Sequence, residues 1–157
     1  MKFRLLTVGK TNKSYFIETE QEYSKRLAKY IIFEKIELPD VRNAKNLSPD
    51  QIKKEEGKLI LSKLEKSGLV VLLDEGGKEM SSPQFSVWIR DEMNRGHKSI
   101  TFVIGGAYGF SEEVYAASAM KLSLSRMTFN HQMVRGFFIE QLYRAFTILR
   151  GEPYHHG

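Results

Sequence analysis

The chain has 157 residues, a formal net charge of +5 at pH 7 from 24 Lys and Arg against 19 Asp and Glu, and no cysteine. That length predicts a single domain over residues 1–157 with a core that needs no staples. The missing cysteine excludes disulfides, thiolate zinc sites, iron–sulfur clusters and a cysteine nucleophile, and it fits a cytoplasmic setting. The charge is one-sided: residues 1–68 hold 15 basic and 10 acidic side chains, whereas residues 69–157 hold nine of each. An excess of that kind suits either a polyanionic partner or a plain lysine-coated surface. The apolar start breaks at Gly9-Lys10 and is too short for a secretory segment, and no window reaches the ~18 apolar residues of a membrane span, so no membrane is expected.

In chain order, residues 3–8 read as a buried strand. A helix follows from Ser14 with Phe16, Tyr23, Leu27 and Tyr30 on one face. Residues 31–38 are a second strand closed by Pro39-Asp40. Ser48-Pro49-Asp50-Gln51 is a complete helix start, with a Ser cap, Pro at the first position and Gln where a capping box needs it. That helix runs to about Lys66 and stops at Gly68. The apolar run 69–73 is a central strand followed by a loop, 74–78. Ser82-Pro83 opens a helix with Phe85, Trp88, Ile89 and Met93 on its face. The strand 100–104 runs into Gly105-Gly106-Ala107-Tyr108-Gly109. Ser111 caps a short helix, 121–125 is a short strand, and the longest helix spans 132–150 with Met133, Phe137, Leu142, Phe146 and Leu149 inward.

Strands alternating with helices, at least two of them wholly apolar, predict an α/β fold: a mostly parallel sheet covered by helices on both faces. Ligands of such sheets bind beyond the carboxyl ends of the strands, where the loops 74–78, 105–109 and 125–131 stand out. Gly9-Lys10-Thr11 is half a phosphate loop, but Arg4 occupies the position of its first glycine. The dinucleotide fingerprint is missing, and no acidic cluster marks a phosphorelay site. Gly105-Gly106-x-x-Gly109 lets a ligand press against backbone or simply makes a tight turn. Two glycine-bearing strand ends side by side suit backbone groups framing a flat ring such as adenine. Glu140 and Arg144 are spaced as a surface ion pair. His131 at the mouth of the last helix is a local cap or a solvated residue. No Asp or Glu stands at ligand spacing near the histidines, so no metal is expected.

Val103-Ile104-Gly105-Gly106-x-x-Gly109, Leu122-Ser123-Leu124-Ser125-x-Met127-Thr128-Phe129-x-His131-Gln132, Arg135, Glu140-x-x-Tyr143-Arg144-Ala145 and Tyr154-His155 together resemble the RlmH family of SPOUT methyltransferases, over essentially the whole chain. The resemblance implies methylation of N3 of a pseudouridine in the helix 69 loop of 23S ribosomal RNA, with S-adenosylmethionine as cofactor. It also implies a C-terminal trefoil knot and a homodimer with the site near the subunit interface. Carried over by position, the cofactor pocket is Leu73, Gly105 and the run Leu124, Ser125, Arg126, Met127, Thr128 and Phe129. One departure is Asn130, which stands where the family usually has proline; without proline's fixed φ the loop is expected to be looser.

For that chemistry the expected catalytic residues are His155, Tyr154, Arg144 and Arg135. Arg144 would orient the tail or the base, and Tyr154 would pack on or hydrogen-bond the target. His155 would act as a base or a positioning group, and Arg135 would meet RNA or the neighbouring subunit. Two other readings stand beside this one: a SPOUT methyltransferase with another RNA target, and a catalytically silent ribosome- or RNA-binding module of the same fold.

Overall fold

The computed structural model describes residues 1–157. Its strands are β1 (Lys2–Val8), β2 (Ile32–Leu38), β3 (Leu69–Glu79), β4 (Ser99–Ile104) and β5 (Met120–Ser123). Its helices are α1 (Ser14–Leu27), α2 (Pro49–Lys63), α3 (Ser82–Met93), α4 (Glu112–Ala117) and α5 (Met133–Leu149). The five strands form one sheet in the order β2-β1-β4-β3-β5, and every neighbouring pair is parallel. All six residues of β4 are buried, as a strand covered on both faces requires. Alternation along the strands sorts two cores. Phe3, Leu5, Ile100 and Phe102 pack with Phe85 and Ile89 of α3 and Phe138, Leu142 and Phe146 of α5. Leu6, Val8, Leu72 and Val103 pack with Ile60 of α2 and Val114 of α4 on the other face. Each large side chain so buried contributes ~1.5–3 kcal/mol.

Local sequence sets the helix starts. Ser48 and Gln51 form a reciprocal capping box, and Ser81 and Gln84 form a second one. A cap of this kind is worth about 1 kcal/mol.

Two expectations fail on packing. The stretch 74–78 is not a free loop: β3 continues to Glu79, and after a register shift Lys78 pairs with Leu122 and Glu79 with Ser123. Gly77 permits this, because a Cβ there would lie 2.6 Å from the backbone carbon of Lys121. In α5, Met133 and Phe137 point outward, 40% and 48% exposed. The seam facing the sheet is Arg135, Phe138, Ile139, Leu142, Ala145 and Phe146, a stripe of helical period turned away from Met133 and Phe137. Met93 of α3 is likewise exposed.

The largest fully buried side chain is Arg135. Its guanidinium donates to Val8 O at 2.7 Å, Gly9 O at 2.9 Å, Thr11 Oγ1 at 3.0 Å and His131 O at 3.2 Å. Burial works against the charge, and Glu20, Glu37 and Asp40 hold it. Thr11 extends the network by donating to Glu20 Oε2 at 2.7 Å, and Lys35 pairs with Glu20 and Glu37. Replacing Arg135 with Met leaves these acceptors unpaired in the core and should cost about 3–5 kcal/mol. A denaturant midpoint within error of wild type would show the network to be dispensable.

Candidate functional site

The carboxyl ends of β3, β4 and β5 open into a cavity of about 590 Å³, inside the ~300–1,000 Å³ range of small-molecule sites. Leu73, Gly105, Leu124, Ser125, Met127, Thr128 and Phe129 all line it. Arg126 does not: its side chain is 86% exposed and pairs with Glu79 at 3.4 Å on the outside. Asp74, Glu75, Tyr108 and Tyr115 also face the cavity, and no motif in the sequence singled them out. Tyr115 donates to Asp74 Oδ2 at 2.5 Å. Burial and that bond push its phenol up to about 12, so it stays a neutral donor. Thr128 donates to Glu75, which ties the 125–131 loop to the end of β3.

The glycine-rich loop is shaped from below. A Cβ at Gly105 would lie 2.9 Å from the ring of Phe110, and one at Gly106 would lie 2.4 Å from Glu56 Oε2. The pair is therefore glycine because side chains of the protein press on it, where the sequence suggested room for a ligand. Gly109, at φ +82°, closes the turn by donating to Gly106 O at 3.2 Å. Glu56, on α2, lies against Gly106 and is buried, with Oε1 unpartnered. Desolvation raises its carboxyl above the ordinary value, with Asp40 adding to the effect and the Gly106 amide opposing it.

Asn130 is not a loose substitute for proline. Its Oδ1 accepts from the amides of Gln132 at 2.9 Å and Met133 at 3.2 Å, so the side chain caps α5 and pins the loop. His131, next to it, lines the cavity; burial and the neighbouring Arg135 lower its affinity for a proton, against a weaker pull from Asp40.

The C-terminal residues are docked on α5. Tyr154 donates to Glu140 Oε1 at 2.8 Å, and Arg144 binds the same oxygen at 2.6 Å. The Arg144 guanidinium lies 4.7 Å from the Tyr154 ring centre and 3.1 Å from His155 Nδ1. Glu152 accepts from Tyr30 at 2.6 Å and secures the approach. Arg144, Tyr154 and His155 thus come together. Arg135 is not with them, because it is buried at the end of β1 and cannot touch RNA or a neighbouring subunit from there. Glu140, which spacing alone presents as half of a surface ion pair, is the hub of the group. It also borders a second cavity of about 410 Å³ with Ser82, Gln141 and Phe137, and this cavity shares Leu122, Leu124 and Phe129 with the first. No residue of the tail lines the first cavity.

Residues 1–155 match the family model described as "Predicted SPOUT methyltransferase". Relatives named "Ribosomal RNA large subunit methyltransferase H" in Parabacteroides distasonis and Christiangramia forsetii are 54% and 56% identical over 156 residues, 99% of this chain and 99% of each of theirs. A solved structure, the SpoU methyltransferase AviRb from Streptomyces viridochromogenes in complex with AdoMet, aligns at a TM-score of 0.48 with 11% identity; the alignment covers 91% of this chain and 57% of that one.

The raised Glu56 carboxyl has a measurable consequence. Below its ordinary value of 4.5 it is protonated in folded and unfolded chains alike. As pH rises past that point the unfolded chain ionises first, so this group's contribution to stability declines until the raised folded value is passed. Glu56→Gln removes that decline, and its stability relative to wild type should improve as pH rises above the ordinary value of 4.5. A stability difference independent of pH would show that Glu56 does not titrate in this way.

Proposed function

Because the chain belongs to the SPOUT methyltransferase family, we propose that it transfers a methyl group from S-adenosylmethionine to N3 of a pseudouridine in the helix 69 loop of 23S ribosomal RNA, in the cytoplasm and on the assembled ribosome. The observation that carries the reading is the cavity where the loops after β3, β4 and β5 converge. Its residues suit the cofactor: the size is right, the walls are largely loop backbone and apolar side chains, and Asp74 and Glu75 on the lining would suit a ligand with a cationic sulfonium. Leu73, Gly105, Leu124, Ser125, Met127, Thr128 and Phe129 would hold it. When bound, it supplies an electrophilic methyl group.

The target N3 carries a proton between two carbonyls and is a poor nucleophile until that proton leaves. The protein's part is to orient the ring and to stabilise the charge that builds on its oxygens. An arginine can only donate, so the 3.1 Å contact from Arg144 makes His155 Nδ1 the acceptor and leaves the ring proton on Nε2. His155 therefore offers a donor to a carbonyl oxygen, which favours the positioning role over that of a base, and the N3 proton would leave to solvent water. Tyr154 has its phenol raised by burial, Tyr23 and Glu140, and stays a neutral donor to Glu140. It is the post on which the tail is fixed. Arg135 is a positioning residue that sets His131 and the cofactor loop from beneath.

The reading includes the family's trefoil knot and a homodimer. Met127, Phe129, Met133 and Phe137 are 76%, 37%, 40% and 48% exposed, an apolar face between the two cavities that asks for cover. We assign it to the subunit interface. Such an interface accounts for a tail that is built and ordered yet stands apart from the cofactor cavity of its own chain.

Deleting residues 154–157 should leave S-adenosylmethionine binding within about twofold while methyl transfer to ribosomes falls by on the order of 10³-fold, as loss of orientation predicts. Transfer at the normal rate would remove the tail from the mechanism. Met133→Glu combined with Phe137→Glu should give a monomer by light scattering at micromolar concentration, with the circular dichroism spectrum unchanged. A dimer that survives both charges would place the interface elsewhere.

A further inference from the structure

Loops that follow parallel strands emerge at one edge of the sheet, so the residues after β1 and β2 share an edge with the cofactor cavity. The loop at 9–13 carries Lys10 and Lys13 with no acid, and the loop at 39–47 carries Arg42 and Lys45 with Asp40. All four cations are exposed. None of them pairs with a carboxylate, although most other basic residues of the chain do. Asp40 lies against Gly9, and its charge is felt by Arg135, His131 and Glu56 beneath the loops.

The two basic loops are joined to the cavity rim. β2 pairs with β1, and β1 pairs with β4, whose end is the glycine loop. Asn12 N donates to Gln132 Oε1 at 3.1 Å, and Arg135 joins Gly9 O to His131 O, with His131 on the cavity wall. At the far side of the same edge, the 74–79 stretch carries Asp74, Glu75 and Glu79 against Lys78. The edge is therefore polarised: cationic over β2 and β1, acidic over β3 where the cationic cofactor would sit.

Resting on the reading of the chain as a ribosomal RNA methyltransferase, we propose that the loops at 9–13 and 39–47 are its RNA-backbone surface, with phosphates at Lys10, Lys13, Arg42 and Lys45 and the target base led past His131 to the cofactor cavity. Phosphate contacts act through counterion release, so they carry affinity and register and leave base choice to the cavity. The acidic side keeps the RNA backbone off the cofactor's end of the edge.

The test compares the quadruple variant Lys10→Ala, Lys13→Ala, Arg42→Ala, Lys45→Ala with Lys29→Ala, Lys66→Ala, Lys98→Ala, which removes exposed lysines preceding β2, β3 and β4 at the opposite edge. Binding to assembled ribosomes lacking the methyl group is measured across a salt series, with S-adenosylmethionine affinity by calorimetry in parallel. The quadruple variant should lower the log–log salt slope by about 3 and raise KM for ribosomes about tenfold or more, as the loss of four phosphate contacts predicts. Its cofactor affinity should be unchanged, and the control variant should match wild type. A quadruple variant with wild-type slope and KM overturns the proposal, as does a control that loses as much. Equal loss of affinity for polyglutamate and for ribosomes marks a general anion surface and also overturns it. Wild-type protein that neither binds nor methylates assembled ribosomes defeats the functional reading itself, a result distinct from an active wild type with an equally active quadruple variant.

Discussion

One buried guanidinium holds the site edge of this molecule together. Val8 and Gly9 lie where a buried strand ends, and both are buried there. Arg135 answers both, reaches Thr11, and from the same group takes hold of His131 O at the start of α5. The end of the first strand and the mouth of the last helix are thus set against each other by a single side chain, 127 residues from its first partner. A charge this deep persists only with its hydrogen bonds complete and carboxylates near, and Glu20, Glu37 and Asp40 provide the latter.

The cofactor loops inherit their positions from that frame. The 105–109 turn rests on Phe110 and Glu56, so its backbone is held at a height that no side chain at 105 or 106 would allow. The 125–131 loop is held at one end by Asn130, which caps α5, and at its middle by Thr128 on Glu75. Backbone groups placed by such supports suit a ligand recognised by shape and by a few polar contacts. The tail follows the same logic on another face: Glu140 gathers Arg144 and Tyr154, and Arg144 fixes which nitrogen of His155 is free. In both places a carboxylate that touches no reacting atom sets the geometry of the groups that would.

Much of this was legible in the chain. Alternating apolar runs and capped helices carry their own local energetics, so the order of elements, the α/β class and the carboxyl-edge location of the site could be read from pattern. Of the residues expected to hold the cofactor, all but Arg126 line one cavity. The failures have a common cause. The side of α5 that faces the sheet, the role of Arg135 and the rigidity of the loop at Asn130 depend on partners that periodicity does not name. Met133 and Phe137 look like core because they are apolar, yet the helix is turned by what lies opposite it.

Sequence alone determined which segments are strands and helices, because spacing of apolar residues and caps acts within a few residues. It also pointed to the carboxyl ends of a parallel sheet, where the first cavity opens, because alternating strands and helices admit few other arrangements. Only the tertiary structure decided the strand order, the continuation of β3 past Gly77, the burial of Arg135, the supports under Gly105 and Gly106 and the docking of the tail. Each of these is a contact between residues far apart in the chain, and its energy comes from desolvation and close packing that exist only once the distant partner is in place.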